Sequence, residues 1–408
     1  MSGQAALVAE SFGLGTVDGG LVPVSFRSSQ TWRLATRDGP VLVKHVPAEE
    51  WLEDFSRAMA FEQRAIDAGV AMPRPIEPVR GTTQPTAGSS STGAHATQWP
   101  TPAGTPTARR LGFAVRIDGL GWVRAYEWVD GRPLADTDDV AEWLGTTLAR
   151  LHRLSPAIPG KALTTGDAAE RAGAARPSGA AAAHGSAESR GAAEVSSAAK
   201  PRGAAESLAA AEPRGVAAAA GAPDWYRLDV PGLWQGWLEA GQREGRSWAA
   251  LLRLHLASVL EAAEWVARSF EAAGDYVMTH RDVEPWNVLM TDGGPVLIDW
   301  DVAGPDSASL EAAHATLEFA RRGRATADLA AVRRTVEAYV GAGGSPFGGP
   351  DVLARRAGLR LGRLAERLRM SLGEEALGPR DRQAIERRAA EQIVEMPSFL
   401  AALRSYRL

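Results

Sequence analysis

The chain contains no cysteine. Disulfides, thiol nucleophiles and cysteine-ligated zinc are therefore excluded. No uninterrupted apolar run reaches about 18 residues, so no membrane-spanning helix is expected. The first basic residue is Arg27. The N-terminal stretch thus lacks the basic start of a signal peptide, and a cytoplasmic location is expected. Basic charge is not in excess either: 45 Lys and Arg stand against 49 Asp and Glu, for a net charge of −4. That balance gives no general attraction for nucleic acid. Two polar residue types are nearly missing. Lys occurs only at Lys44, Lys161 and Lys200, and Asn only at Asn287. In so poor a background each survivor is a candidate for chemistry that other side chains do not supply.

What is present suits a globular protein of two lobes. The chain has 408 residues, of which 45% are hydrophobic, enough to bury a sizeable core. Residues 21–46 read as three strands, "LVPVSF", "TWRLAT" and "PVLVKHV", the last two joined by "RDG". A helix over 49–68 follows, with Trp51, Phe55, Met59 and Ile66 on one face. Gly69 ends it and Pro73 prevents its resumption. Residues 80–110 are rich in Pro, Ser, Thr and Gly and are expected to be a flexible loop. Strands at 111–117 and 121–129 come next, then a helix over 138–154 with Val140, Trp143, Leu144, Thr147, Leu148 and Leu151 on its apolar face. Residues 157–222 are Ala- and Gly-rich without apolar anchors. They cannot offset their ordering entropy and are expected to be a disordered insertion. Beyond 223 come helices up to about 273, a hairpin with strands 287–291 and 295–300 around "DGG", and helices over 307–406. "GLGTVDGG" at 13–20 precedes the first strand and reads as a loop.

The chemistry concentrates in "THRDVEPWNVLM", 279–290, and "PVLIDWD", 295–301. Phosphoryl transfer requires a carboxylate to orient and deprotonate the attacking hydroxyl. It also requires hard oxygen ligands for a metal, and a cation on the phosphates. Asp282 stands in a loop just before a strand. Asn287 follows five residues later, and Asp299 ends the partner strand. A hairpin brings the two strand ends side by side, so Asn287 and Asp299 can share one metal ion.

"HRDVEPWN" with "LIDWD" resembles the catalytic loop and metal-binding Asp of the protein-kinase-like fold. More narrowly it resembles the aminoglycoside phosphotransferase and choline kinase-like family. The resemblance implies an α+β, bilobal fold with a small antiparallel-sheet N-lobe carrying one helix and a larger α-rich C-lobe. It assigns 1–130 to a nucleotide-binding N-lobe, 131–156 to the first C-lobe helix and 223–408 to the rest of the C-lobe. By resemblance Asp282 is the catalytic base and His280 props its loop. Asn287 and Asp299 bind Mg2+. Lys44 holds the phosphates of ATP or GTP and pairs with Glu62 on the following helix. The backbone at Glu127 and Val129, in "YEWVDGRPL", binds adenine. The connection that should carry a glycine-rich phosphate loop is "RSSQ", 27–30, where only Ser28 and Ser29 could donate to phosphate. Arg281 stands where small-molecule kinases often have Gly. Glu311 stands near the place of an Asp that the family often shows after the metal ligand.

Other readings carry less. A metal phosphohydrolase built on His280 and Asp282 needs further His ligands, and neither His255 nor His314 lies in a motif. His45, His95, His152 and His184 read as surface or loop residues. The Trp residues at 225, 234, 237, 248 and 265 read as core, and the Arg runs at 321–324 and 355–369 as solvated helix faces. "HRD" also occurs in protein kinases. Here, however, Glu284 stands where those carry Lys, and no "APE" follows. The expected activity is transfer of phosphate to a hydroxyl of a small molecule, by a monomer or homodimer without nucleic-acid or membrane partners. A catalytically inactive kinase-like regulatory or binding protein is the alternative.

Overall fold

The computed structural model describes residues 2–25, 30–46, 52–79, 113–155, 223–324, 326–374 and 378–406. Ser28, Ser29, Trp51, the 80–110 loop and the 157–222 tract lie outside the described residues. The chain divides into two compact units. One comprises Met1–Leu134 and Trp286–Asp301, the other Ala135–Pro285 and Val302–Leu408.

The first unit opens with helix α1 (Ser2–Phe12), which the sequence reading did not anticipate. Its Ala5, Val8 and Phe12 pack on the sheet residues Leu34, Val43, Val115 and Val123. Strands β1 (Val22–Ser25), β2 (Thr31–Thr36) and β3 (Gly39–His45) are antiparallel neighbours. The β2–β3 turn is two residues long, and Gly39 takes the positive φ of 125° that it needs. Helix α2 (Leu52–Asp67) follows, buries Phe55, Met59 and Glu62 on one face, and stops at the left-handed Gly69. Strands β4 (Pro75–Ile76) and β5 (Ala114–Ile117) both pair with β6 (Gly121–Glu127), and β6 pairs with β3. A second small sheet joins β7 (Arg132–Pro133) to the hairpin β9 (Val288–Thr291) and β10 (Gly294–Leu297). β10 is shorter than expected, so Ile298 and Asp299 lie beyond its end.

Among the described residues the second unit is helical apart from one strand pair, β8 (Tyr276–Thr279) with β11 (Gly304–Ser307). The sequence hid that pair, because "GPDS" has neither the alternation nor the branched residues of a strand. Its described α-helices are α3 (Ala141–Arg153), α4 (Leu233–Arg243), α5 (Ala249–Ala273), α6 (Ala308–Arg321), α7 (Leu329–Gly341), α8 (Ala354–Ser371) and α9 (Pro379–Ser405). Trp225, Trp234, Trp237, Trp248 and Trp265 are all core residues, as the sequence suggested. Gly145 lets α3 approach α7 closely: a Cβ there would lie 2.2 Å from the Thr335 carbonyl oxygen. Among the described residues no helix is long and apolar enough to cross a membrane. An antiparallel sheet in the N-terminal part followed by a helix-rich C-terminal part matches the expected fold class.

Candidate active site

In the first unit the site is built on strand β3. Val41 and Val43 point into the core, so Lys44 lies on the opposite face of the strand. It is 6% exposed. Its Nζ lies 2.5 Å from Asp299 Oδ1 and 2.7 Å from Asp301 Oδ2. Burial alone would lower the Lys44 pKa, but the two carboxylates outweigh it and raise the value, so the ammonium stays charged. The hairpin supplies these carboxylates. Its ladder continues past β10 through the Ile298 N–H, which donates to the Asn287 carbonyl at 2.9 Å. Asp299 follows in a left-handed conformation, φ 69°. Asn287 is buried at the start of β9. The sequence reading missed Asp301, although "DWD" places a second carboxylate two residues beyond the first.

The expected Lys44–Glu62 pair is corrected. Glu62 is fully buried and pairs with Arg124 on β6, the strand residue directly opposite Lys44. The Arg124 guanidinium is surrounded by Phe55, Phe113 and Tyr126 at 5.8, 6.0 and 4.8 Å from the ring centres. The physical reason is charge balance. Lys44 already faces two carboxylates, whereas a carboxylate sealed under α2 needs a buried cation of its own. Burial raises the Glu62 pKa, and Arg124 only partly offsets it. The signal for this arrangement was an Arg inside the otherwise apolar run of β6.

Glu127 closes β6, and its N–H donates to the Arg74 carbonyl at 2.9 Å. That amide is therefore engaged within the sheet, leaving the carbonyl of Glu127 and the amide of Val129 as the groups to test for adenine. Val129 lies in the half-buried segment that follows.

In the second unit β8 leads directly into the loop His280–Arg281–Asp282. His280 is fully buried, and its Nδ1 accepts the Asp282 N–H at 3.3 Å. Arg281 is left-handed, φ 66°. Among the described residues, Arg281 and Asp299 are the two non-glycine residues with positive φ, and such strain gathers at functional sites. It also explains the departure noted at 281, since a position of this shape favours Gly. The conformation costs about 1–2 kcal/mol for an L-residue. The Arg281 guanidinium offsets part of this by donating to the Pro305 carbonyl at 2.5 Å. It lies against Gly304, where a Cβ would come within 2.5 Å of it.

Helix α6 carries the supports of this loop. Glu311 Oε1 accepts the Arg281 N–H, and Glu311 Oε2 lies 2.8 Å from His152 Nε2. His152 Nδ1 in turn lies 2.9 Å from the Tyr339 hydroxyl. Burial opposes ionisation of Glu311, but the His152 hydrogen bond and charge prevail and bring its pKa down to about 2. One turn on, His314 Nε2 lies 2.8 Å from Glu284 Oε1. Burial and the charges of Arg355, Arg356 and Arg363 push the His314 pKa well down, so the ring is neutral. Two sequence expectations fail here. His152 is buried, not superficial, because Gly145 sets α3 tightly on α7 and brings the ring to Tyr339. Arg355 belongs to the core, not to a solvated face: it is 1% exposed and bound to Asp306.

A profile of the Phosphotransferase enzyme family matches residues 21–345, and the chain belongs to that family. Among solved structures, a spectinomycin phosphotransferase in complex with ADP and spectinomycin superposes with a TM-score of 0.53 and 11% identity. The alignment covers 97% of this chain and 97% of that one, which shows a shared fold. An aminoglycoside phosphotransferase from Alicyclobacillus acidocaldarius gives a TM-score of 0.49 at 15% identity, over 97% of this chain and 94% of that one. The trifolitoxin immunity protein of Rhizobium leguminosarum bv. trifolii is 45% identical over 53 residues, or 13% of this chain. The match spans 20% of that protein's length.

Proposed function

We propose that the protein transfers the γ-phosphoryl group of ATP or GTP to a hydroxyl of a small molecule, with Mg2+ as cofactor. The observation that carries this reading is the ion pair between the buried Lys44 and the half-buried Asp299. It joins the one Lys of the described residues to the carboxylate placed by "LIDWD". In the reaction the acceptor oxygen bonds to the γ-phosphorus, the bond from that phosphorus to the β–γ bridging oxygen breaks, and the nucleoside diphosphate leaves with the electron pair. Asp282 takes the acceptor proton on its carboxylate, and His280 orients the loop that carries it. Lys44 holds phosphate oxygens, while the Glu127 carbonyl and Val129 amide hold the base. Asn287 and Asp299 offer an amide oxygen and a carboxylate, donors that suit a hard cation completed by phosphates and water. Magnesium, when bound there, supplies charge neutralisation on the phosphate oxygens. The role given to Glu62 changes: it holds Arg124 in the first unit instead of Lys44.

The acceptor class is tested by following nucleotide consumption against aminoglycosides, spectinomycin, amino alcohols and sugars. Asp282→Ala serves as control, and we expect it to bind nucleotide without turnover. Residual turnover above about a tenth of wild type in that variant would overturn the role of Asp282. A wild-type chain that binds Mg-ATP but consumes none with any acceptor would favour an inactive binding protein. The Gly-free connection 27–30 is the sequence feature that points that way.

A further inference from the structure

The peptide unit joining Arg281 to Asp282 is held at both of its polar atoms. Its N–H, on Asp282, donates to His280 Nδ1. Its carbonyl, on Arg281, accepts from Arg355 Nη2 at 2.5 Å. The preceding peptide is held as well, through the Arg281 N–H on Glu311. Arg355 is itself fixed. Its Nε donates to Asp306 Oδ2 at 3.1 Å, and its guanidinium carbon lies 5.7 Å from the Trp225 ring centre. Asp306 is bound on its other oxygen by the Tyr226 hydroxyl at 2.9 Å. Burial works against the Arg355 charge, but the carboxylates of Asp306 and Glu311 outweigh it, so the guanidinium stays protonated.

A buried ion pair of this kind is weak evidence for stability, since apolar side chains of the same volume often serve as well. What an apolar residue cannot do is bind a carbonyl. The guanidinium fork reaches Asp306 with one nitrogen and the Arg281 carbonyl with another, which the single nitrogen of Lys cannot reproduce. The plane of this peptide sets ψ of Arg281 and φ of Asp282, the torsions that aim the Asp282 side chain. A left-handed residue needs such over-determination to keep its shape.

We propose that Arg355 is a positioning residue for phosphoryl transfer: it fixes the Arg281–Asp282 peptide plane and so aims the Asp282 carboxylate at the acceptor hydroxyl. This inference rests on the reading of Asp282 as the base.

The test compares Arg355→Met, Arg355→Lys, Arg355→Ala and Asp282→Ala in the full chain by nucleotide-consumption kinetics, melting and amide hydrogen exchange. For Arg355→Met we expect kcat to fall by about 30-fold or more with the nucleotide KM within twofold. Exchange at residues 281–282 should quicken at least tenfold while the melting transition stays cooperative. Arg355→Lys should fall between Met and wild type. Added guanidinium should restore part of the rate in Arg355→Ala. Unchanged 281–282 exchange in Arg355→Met overturns the grip whatever the turnover. Faster exchange with kcat within twofold overturns the positioning role while leaving the transferase reading intact. If Arg355→Met does not fold, Arg355→Lys decides on the same two readouts. If Asp282→Ala keeps more than about a tenth of wild-type turnover, the base assignment falls and this inference with it.

Discussion

Lys44 Nζ lies 2.5 Å from Asp299 Oδ1, although 255 residues separate them in sequence. With Asp301 at 2.7 Å, one ammonium is shared by two carboxylates inside the first unit. Replacing Lys44 by Met removes the cation and leaves both carboxylates uncompensated. We expect Lys44→Met to lose phosphoryl transfer yet to bind Mn2+ more tightly than wild type. Calorimetric titration with Mn2+ checks this, and weaker binding would refute it.

Glu62 and Arg124 form a second buried pair, both nearly inaccessible to solvent. Removing one partner of such a pair costs about 3–5 kcal/mol, because the other charge remains buried. Glu62→Gln and Arg124→Met should each lower stability by that order in urea unfolding. The double variant should recover more than half of the summed loss. Nucleotide affinity of folded Glu62→Gln should stay near wild type, since Lys44 is held by other groups.

Arg281 combines an unfavourable backbone with a favourable side chain. Arg281→Ala keeps the left-handed cost and loses the bond to Pro305. Arg281→Gly loses the same bond but is relieved of the backbone cost. The Gly variant should therefore be about 1 kcal/mol more stable than the Ala variant in denaturant unfolding. Equal stabilities would show that the backbone carries no strain.

Acid should loosen the second unit in two stages. His314 has a depressed pKa when folded, so its contribution is present above about 6.5 and is lost as pH falls below that value. Glu311 is displaced from 4.5 to about 2. Its contribution, roughly 3 kcal/mol, is intact above 4.5 and disappears as pH falls through that range towards 2. Chemical denaturation of Glu311→Gln against wild type should show a gap at pH 7 that narrows steadily below pH 4.5.

Much of the architecture was legible because it rests on periodicity. The strands around Lys44, the helix over 138–154 and the hairpin at 287–297 carry regular apolar patterns, and their turns carry Gly where a positive φ is needed. "LIDWD" and the lone Asn287 likewise drew attention to the hairpin. What stayed hidden depends on partners far apart in sequence. An Arg inside the apolar run of β6 hints at a buried partner, but nothing local assigns it to Glu62 in place of Lys44. Nothing marks Arg355 among the other Arg of α8 as the buried one, or His152 as the partner of Glu311. Each of these choices is made by packing. The strands β8 and β11 were missed for the complementary reason: tertiary contacts hold "GPDS" extended against its propensity.

The hairpin Trp286–Asp301 groups with Met1–Leu134, so the first unit is discontinuous in sequence. During synthesis its N-terminal part emerges long before the counter-ions of Lys44 exist. Until residue 299 has left the ribosome, Lys44 has neither Asp299 nor Asp301 to neutralise it. The unit that opens the chain is therefore one that cannot finish folding first, contrary to the usual order in which domains mature along a nascent polypeptide. For the same reason a fragment ending at Leu134 is an incomplete protein, and the first unit cannot be moved to another context as a single continuous cassette.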